Sequence, residues 1–561
     1  GKLGVIAALC YQHANRGKET EAYYLPGKTI YGTQFRTYST AQTRTAAHAK
    51  LDYKPAPAHK LTWYGGYMDM KEQQVRDMAD EKSGSTRLRY THQYIFSTTL
   101  QGTHHFGSSG LELEWKGAYS KALSETPDQA ELNFIGTHIA NTGSATRRWE
   151  HNDDRDLAGH LDLRYSHGLM TYSVGGMYRD KKRGSFFNEY TFDSTTGTAN
   201  PQYRGEDWNN FDELKLKPRP YGNIGDPLNY DATEQIGAAY AMAKAKGKRW
   251  DATVGLRAEH TVQGYTLIFP RDSDPDGEQR YTDILPSAHF KYEIHPKGRL
   301  HLSYNRSVNR PSFFEIVPYT IINEDYKEKG NPDLEHTVAD NIDLRYEFFP
   351  KGSEQVMVGL FYKHLHNPIE YGLINEGQDT YYKPMNLGNA TNAGVEIDVM
   401  KNFKCFGVKA NYTFTHSRIT TSKRTMQGSE VISVNQSRPL FGQAAHVANV
   451  SLLYKSSRWH WEGQISYGYT GKRLSDISNW LDDDIWEKGY HRLDLSLEKG
   501  FPKAGITLFA KASNLLDTPV VRIVGRGDHT ATVDTPRDNG YVIERKEWHG
   551  QSFMLGLRWK L

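Results

Sequence analysis

The sequence has no long apolar run. Nowhere in its 561 residues does a stretch approach the roughly 20 apolar residues that a membrane-spanning helix requires, which excludes a helical membrane protein. Cysteine is nearly missing: only Cys10 and Cys405 are present. Cys10 falls late in the first apparent strand and Cys405 in a short turn, so they should sit at different heights and not pair. Neither a disulfide framework nor a cysteine metal site is indicated. An excess of one charge is also lacking, since a net +3 gives no grounds for a nucleic-acid partner. No signal segment stands at Gly1, so an exported chain would begin downstream of one. No serine-histidine-acid triad or paired-carboxylate spacing stands out, and an enzyme is not expected.

Aromatic residues, by contrast, are plentiful: 36 Tyr, 22 Phe and 11 Trp. They fall in strict alternation. In the last eleven residues Phe553, Leu555, Leu557, Trp559 and Leu561 share one face, against Ser552, Met554, Gly556, Arg558 and Lys560 on the other. Leu111, Leu113, Trp115, Gly117 and Tyr119 likewise oppose Glu112, Glu114, Lys116, Ala118 and Ser120, and Ile342, Leu344, Tyr346 and Phe348 oppose Asp343, Arg345 and Glu347. This is the period of a β-strand. Charges on the inner face of so many strands would be ruinous in a sandwich core, where unpaired ions are too costly. In a wide barrel they face water, while the apolar face meets lipid and the aromatics form interfacial girdles.

Short Gly/Pro turns, such as 107–110, 295–298, 350–353, 456–458 and 500–505, join strands in pairs. Long polar stretches at about 122–155, 181–232, 309–337, 421–443, 471–488 and 515–549 separate the pairs. Short periplasmic turns and long extracellular loops are the asymmetry of outer-membrane barrels. The expected fold is therefore all-β: one large antiparallel transmembrane β-barrel over 1–561, of about twenty strands, the first from Leu3 to His13.

Several segments go beyond periodicity. Asp283-Ile-Leu-Pro-Ser-Ala-His-Phe, the stretch Leu300 to Phe313 with Arg310-Pro311, Gly330-Asn-Pro-Asp-Leu334, Asn386-Leu-Gly-Asn-Ala with Gly394-Val-Glu-Ile, and Ala512-Ser-Asn-Leu-Leu-Asp517 resemble TonB-dependent outer-membrane receptors. The resemblance runs from about Asp283 to the end; the earlier part is more like the barrels of Bacteroidota receptors. It implies a 22-stranded barrel in the bacterial outer membrane, filled by an N-terminal plug. Ligand would bind at the outer loops, and the TonB–ExbB–ExbD complex would drive import of a scarce nutrient. The chain departs from the family in lacking the plug and the TonB-contacting segment and in counting one hairpin short; both are expected to precede Gly1. The last strand would then face a gap instead of closing on the first. Outer-membrane lipid and a small nutrient are the expected partners, with a surface lipoprotein as a further candidate; a passive plugless porin is the alternative.

Ligand capture is assigned to loop aromatics with polar neighbours: Trp208, Arg310, Tyr319, Tyr326, Tyr381, Tyr382, Trp480 and Trp486. Aromatic faces stack on sugars or flat chelates. No histidine lies between the boxes at Arg310-Pro311 and Gly330 to Leu334, the nearest being His336, which argues against haem. Asp272, Asp274, Asp276, Gly277, Glu278 and Asp283 follow much of the D-x-D-x-D-G calcium-loop spacing and form a candidate structural Ca²⁺ site, although Pro275, the short Asp283 and the missing helices depart from it. Asp482 to Asp484 is a weaker candidate. The 23 histidines invite a metal reading, but His104 and His105 must point to opposite faces. Met68 and Met70 share a face, for which contact with lipid accounts as well as copper does.

Overall fold

The computed structural model describes residues 2–23, 32–136, 138–140, 142–195, 216–218, 228–270, 274–322, 325–376, 379–525 and 536–559. These residues hold 32 strands. Twenty of them run as consecutive antiparallel neighbours and make a wall. The first ten are tall: Leu3–Ala22, Gln34–Ala56, His59–Ala79, Ser83–Phe106, Leu111–Ile135, Ala145–His167, Met170–Ser194, Tyr230–Lys246, Trp250–Leu267 and Asp276–His295. The second ten are mostly short: Gly298–Asn309, Thr337–Phe348, Gln355–His366, Ala390–Phe403, Phe406–Gln427, His446–Ser456, Trp461–Thr470, Tyr490–Phe501, Ile506–Ser513 and Ser552–Trp559.

The alternation in the sequence becomes two faces of this wall. Phe290, Leu302, Leu344, Leu360 and Val395 stand opposite one another in register across five strands and form part of an apolar outer belt. The inner face of the same strands carries His301, Arg345 and Glu396, with His301 bridging to Glu347 at 3.2 Å and Arg345 to Glu396 at 3.7 Å. The expected turns are where strands reverse. At Gly110 the backbone is left-handed (φ 72°), and a Cβ there would collide with the Ser166 carbonyl, so glycine is required. No helix of the described residues is long and apolar enough to cross a membrane. Cys10 and Cys405 are both free and exposed.

Three expectations are corrected. The polar stretches after residues 121 and 181 do not leave the wall as loops: the strands run on to Ile135 and Ser194, with bulges near Tyr90 and Thr126. The first strand reaches Ala22 instead of ending at His13. Met68 and Met70 sit on the inner face, where the Met70 sulfur accepts a hydrogen bond from Arg44 at 3.6 Å. His104 and His105 do point apart: His104 accepts from the Trp115 indole and contacts His59, while His105 faces Glu112 at 3.1 Å.

The wall does not close. Among the described residues Ser552–Trp559 pairs with Ile506–Ser513 alone. Leu3–Ala22 pairs along its length with Gln34–Ala56 and, through Glu19 to Ala22 only, with Tyr541–Trp548. The two edges therefore meet at the outer rim and part below it.

Candidate ligand-binding cap

Beyond the outer ends of the short strands, the chain folds into a cap. Phe313–Ile316 is one helical turn, started by a capping box in which Ser312 and Glu315 bond each other's backbone N–H. Hairpins Thr320–Ile322/Lys327–Lys329 and Ile369–Glu376/Asp379–Asn386 follow. They join side by side through a parallel pairing of Lys327 with Tyr381. Gly372 and Leu373 then pair in parallel with Ile477 and Ser478, which ties this small sheet to Arg473–Ser478, Ile485–Glu487, Val520–Val524 and Tyr541–Trp548.

Beneath it Phe313, Ile316, Val317, Tyr319 and Leu334 pack against Phe187, Tyr230, Tyr265 and Leu267 of the tall wall, all buried. Lys181 and Arg183 lie over the Phe313 ring at 5.1 and 5.7 Å. From this anchor the hairpin reaches across the mouth. Asp325 bonds Arg36 of the second wall strand at 2.8 Å and Arg545 at 2.6 Å, although its loop leaves the wall between the eleventh and twelfth strands. In a ring of twenty strands those positions are nearly opposite, so the cap spans the lumen.

Buried ion pairs hold it there. Glu544, wholly buried, lies 2.9 Å from Arg522 and 3.6 Å from Arg545, and Arg522 also bonds Asp476. Asp325, Asp476 and Glu544 thus balance Arg36, Arg522 and Arg545. Burial would raise the Asp325 carboxyl, but the guanidinium groups of Arg545 and Arg36 outweigh it and hold the group well below the usual carboxylate range. Two further buried pairs are Glu370 with Arg438 at 2.9 Å and Lys423 with Asp484 at 2.6 Å; burial pushes the Lys423 ammonium down, against the pull of Asp484.

The expected ligand residues are dispersed across this cap. Tyr382 is the middle of a stack, with Tyr371 at 5.1 Å and Tyr326 at 6.1 Å between ring centroids. Burial pushes the Tyr382 phenol up to about 12 and the buried Tyr326 hydroxyl has no partner. Tyr371 donates to Glu315 at 2.9 Å. Tyr381 lies beside Lys327 and Lys329 and donates to Asp379 at 3.2 Å. Tyr319 is a core residue at 2% exposure and takes no ligand without the cap opening. Arg310 is held by Glu259 at 2.5 Å and Thr261 at 3.0 Å. Trp480 sits in a backbone pairing with Arg424, and Trp486 borders a separate surface cavity of about 570 Å³ with Lys472 4.6 Å from its ring. Trp208 lies outside the described residues.

The described carboxylates of the calcium-loop spacing do not converge on one point. Asp274, Asp276 and Glu278 border a cavity of about 670 Å³ with Gln263 and Tyr265. Asp276 starts a strand, however, which carries Asp283 away along seven residues of extended chain, roughly 23 Å, to the other face. There Asp283 is buried and faces His336 at 2.9 Å, whose ring stacks on Tyr281 at 3.9 Å. Asp272 lies outside the described residues. Asp484, in the weaker candidate, is taken by Lys423. Among the described residues no group of three or more His, Cys, Asp or Glu is placed to hold a metal.

The family motifs turn out to be joints. Asn331 donates to the Pro384 carbonyl at 3.0 Å, Asn386 accepts from the Glu335 N–H at 2.8 Å, and Asn514, left-handed at φ 56°, donates its backbone N–H to Asp494 at 2.8 Å. Residues 104–559 match the model of the outer membrane protein beta-barrel family. The chain belongs to that family. It is accordingly an outer-membrane protein, and its wall is a transmembrane one. No characterised protein matches it by sequence. Solved structures match by fold: the siderophore receptor PiuA from Acinetobacter baumannii at TM-score 0.57, 12% identity, 97% of this chain and 81% of that one. The copper transporter OprC follows at 0.55, 12%, 97% and 81%, and the ferric citrate transporter FecA at 0.54, 12%, 96% and 78%. At such identity the likeness is one of fold alone.

The residues that the sequence reading missed are the latches, Arg36, Arg522, Glu544 and Arg545. None carries a local signal, because Arg36 and Arg545 meet at Asp325, and Arg522 meets Asp476 and Glu544, from distant parts of the chain. Glu315 could have been found from Ser312-x-x-Glu315.

Proposed function

We propose that this chain is the membrane barrel of a TonB-dependent active transporter, which binds a scarce nutrient at the cap and passes it through the lumen to the periplasm. The observation that carries the reading is the hairpin latched across the mouth by Asp325 to Arg36 and Arg545. A folded bridge held across the mouth by buried ions, which cost several kcal/mol each to desolvate, supports a barrel that holds and releases a ligand. The tyrosine stack under it suits a flat or sugar-like ligand.

The unpaired edges support the same reading. The first strand runs outward and the last inward, so the space between them accepts an even number of strands. A hairpin preceding Gly1, with a plug before it, would fill that space, and the plug would contact the TonB–ExbB–ExbD complex. A surface lipoprotein docked over the cap would complete such a system. The decisive experiment is a planar bilayer recording on the full-length protein, paired with growth on the ligand in cells with and without TonB. Silence in the bilayer and TonB-dependent growth are expected. Steady conductance with TonB-independent growth would make the protein a passive porin.

A further inference from the structure

The carboxylates near the start of the strand Asp276–His295 fail to meet at a point, yet they border a space. A cavity of about 670 Å³ at the foot of the cap is lined by the start of that strand and Asp274 just before it, by Gln263 and Tyr265 of the neighbouring strand, and by Ile316, Pro318 and Pro332 of the cap. Its wall offers acceptors and few donors. Gln263 is 1% exposed; its amide N–H donates to the Pro311 carbonyl at 2.8 Å, and its buried Oε1 has no partner. Gln279 donates its N–H groups to the Leu334 and Pro332 carbonyls at 2.6 and 3.3 Å, which leaves only its oxygen for a ligand.

The charge around the cavity has one sign. Glu278 is held by Arg280 at 2.5 Å, but Asp274, Asp276 and Asp333 have no basic side chain within ion-pair distance among the described residues. Their field reaches Tyr265, which packs in the cap core above the membrane. Burial pushes the Tyr265 phenol up, and Asp274, Asp276 and Asp333 push it further, with no basic side chain acting the other way. The buried, unpartnered oxygen of Gln263 is what distinguishes this place from a solvated acidic tip: a buried acceptor left unsatisfied is a standing cost that a ligand's donor removes.

These groups define the missing partner. It must donate hydrogen bonds and carry positive charge. A single metal ion does not fit, because among the described residues no three His, Cys, Asp or Glu surround one point; charge spread along a cavity calls for cationic groups spread along a ligand. Between those groups the ligand should be apolar, since Ile316, Pro318 and Pro332 present no polar side chain.

We infer that this cavity binds a linear aliphatic polyamine, its ammonium groups on Asp274, Asp276, Asp333 and the Gln263 oxygen and its methylene chain along Ile316, Pro318 and Pro332. Ammonium-to-carboxylate hydrogen bonds are charge-assisted and roughly twice as strong as neutral ones, and several on one chain reinforce one another. The site is separate from the tyrosine stack, so it stands whether the barrel is a transporter or a porin.

The test is isothermal titration of the full-length protein in neutral maltoside detergent at low ionic strength, with spermidine, butylamine and calcium chloride as probes. Spermidine should bind once per protein, at least tenfold more tightly than butylamine or calcium. The triple variant D274N/D276N/D333N should weaken it at least tenfold, whereas E430Q/E462Q, which removes two exposed carboxylates elsewhere, should leave it unchanged. Hydrogen exchange should slow on addition of spermidine in Asp276–Gln279 and Ile316–Val317. No binding, several equivalent sites, affinity unchanged in the triple variant, calcium or butylamine as tight as spermidine, or protection confined to other segments would each overturn the proposal. Should the triple variant fail to fold, Asp274→Asn decides, because that position is exposed. Spermidine should bind it at least threefold more weakly, and an unchanged affinity would overturn the proposal too.

Discussion

The two halves of the wall spend their extracellular residues differently. The first ten strands have 17 to 25 residues and simply continue outward as ladder. The second ten have as few as 8, with one of 22, and there the chain leaves the wall to fold over the mouth. Both solutions satisfy the backbone, as any buried segment must. The tall half does so with neighbouring strands along unbroken ladders, with side-chain contacts between adjacent strands such as Arg76–Glu131 at 2.6 Å at its outer end. The cap does so with short strands from distant loops, and specific ion pairs fix which loop meets which. Stability in the tall half is therefore distributed, whereas in the cap it is concentrated in a few groups.

Asp325→Ala is the strongest way to break this contrast. It leaves Arg36 and Arg545 with one fewer partner in a mostly buried setting, a change costing about 3–5 kcal/mol in such pairs. Hydrogen exchange should accelerate in Lys327–Lys329 and Asp379–Asn386 while Leu111–Ile135 stays protected. Loss of protection in both places would mean that the cap and wall are one cooperative unit.

The opposite perturbation is Leu161→Arg, in the tall wall, or Leu557→Arg, in the last strand. Arg facing lipid near the midplane costs about 2–4 kcal/mol. Each should impair insertion, read as loss of heat-modifiable mobility in gels. Leu557→Arg should be the worse of the two, because its strand has a ladder partner on one side only. Equal, normal insertion of both would remove the assignment of the outer face.

The wall was legible in the sequence and the cap was not, for the same reason. Where one face meets lipid and the other water, period two is written plainly, as in Leu111 to Tyr119 or Ile342 to Phe348. Past Lys121 or Lys181 both faces meet polar surroundings, so the alternation fades although the strand continues. The cap depends on pairings such as Leu373 with Ser478, for which no local pattern exists. In the calcium spacing Asp276 opens a strand, which carries Asp283 away from the described carboxylates before it. Tyr326, Tyr381 and Tyr382 do converge on one hairpin pair, but Tyr319 belongs to the core, and Trp486 faces another cavity.

Acid provides a gentler test of the latch. The Asp325 pKa is depressed in the folded state, so its contribution is complete above the ordinary carboxylate value near ~4. It declines only as pH falls from there toward the folded value. Cap exchange rates should therefore be flat, apart from intrinsic chemistry, from neutral pH down to about 4, and rise below it. The wall should show no matching step. A cap that loosens between pH 7 and 5 would require another titrating group.

The smallest effect is expected at Tyr326. Its hydroxyl is buried beside Tyr382 without a hydrogen-bond partner, and a buried polar group left unsatisfied costs about 1–3 kcal/mol. Tyr326→Phe keeps the ring and its stacking while removing that cost, so cap exchange should slow slightly, or at least not quicken. If ligand affinity falls while cap exchange stays slow, the hydroxyl is waiting for the ligand. That result would place the binding site at the stack itself and separate it from the latch at Asp325, only one residue away.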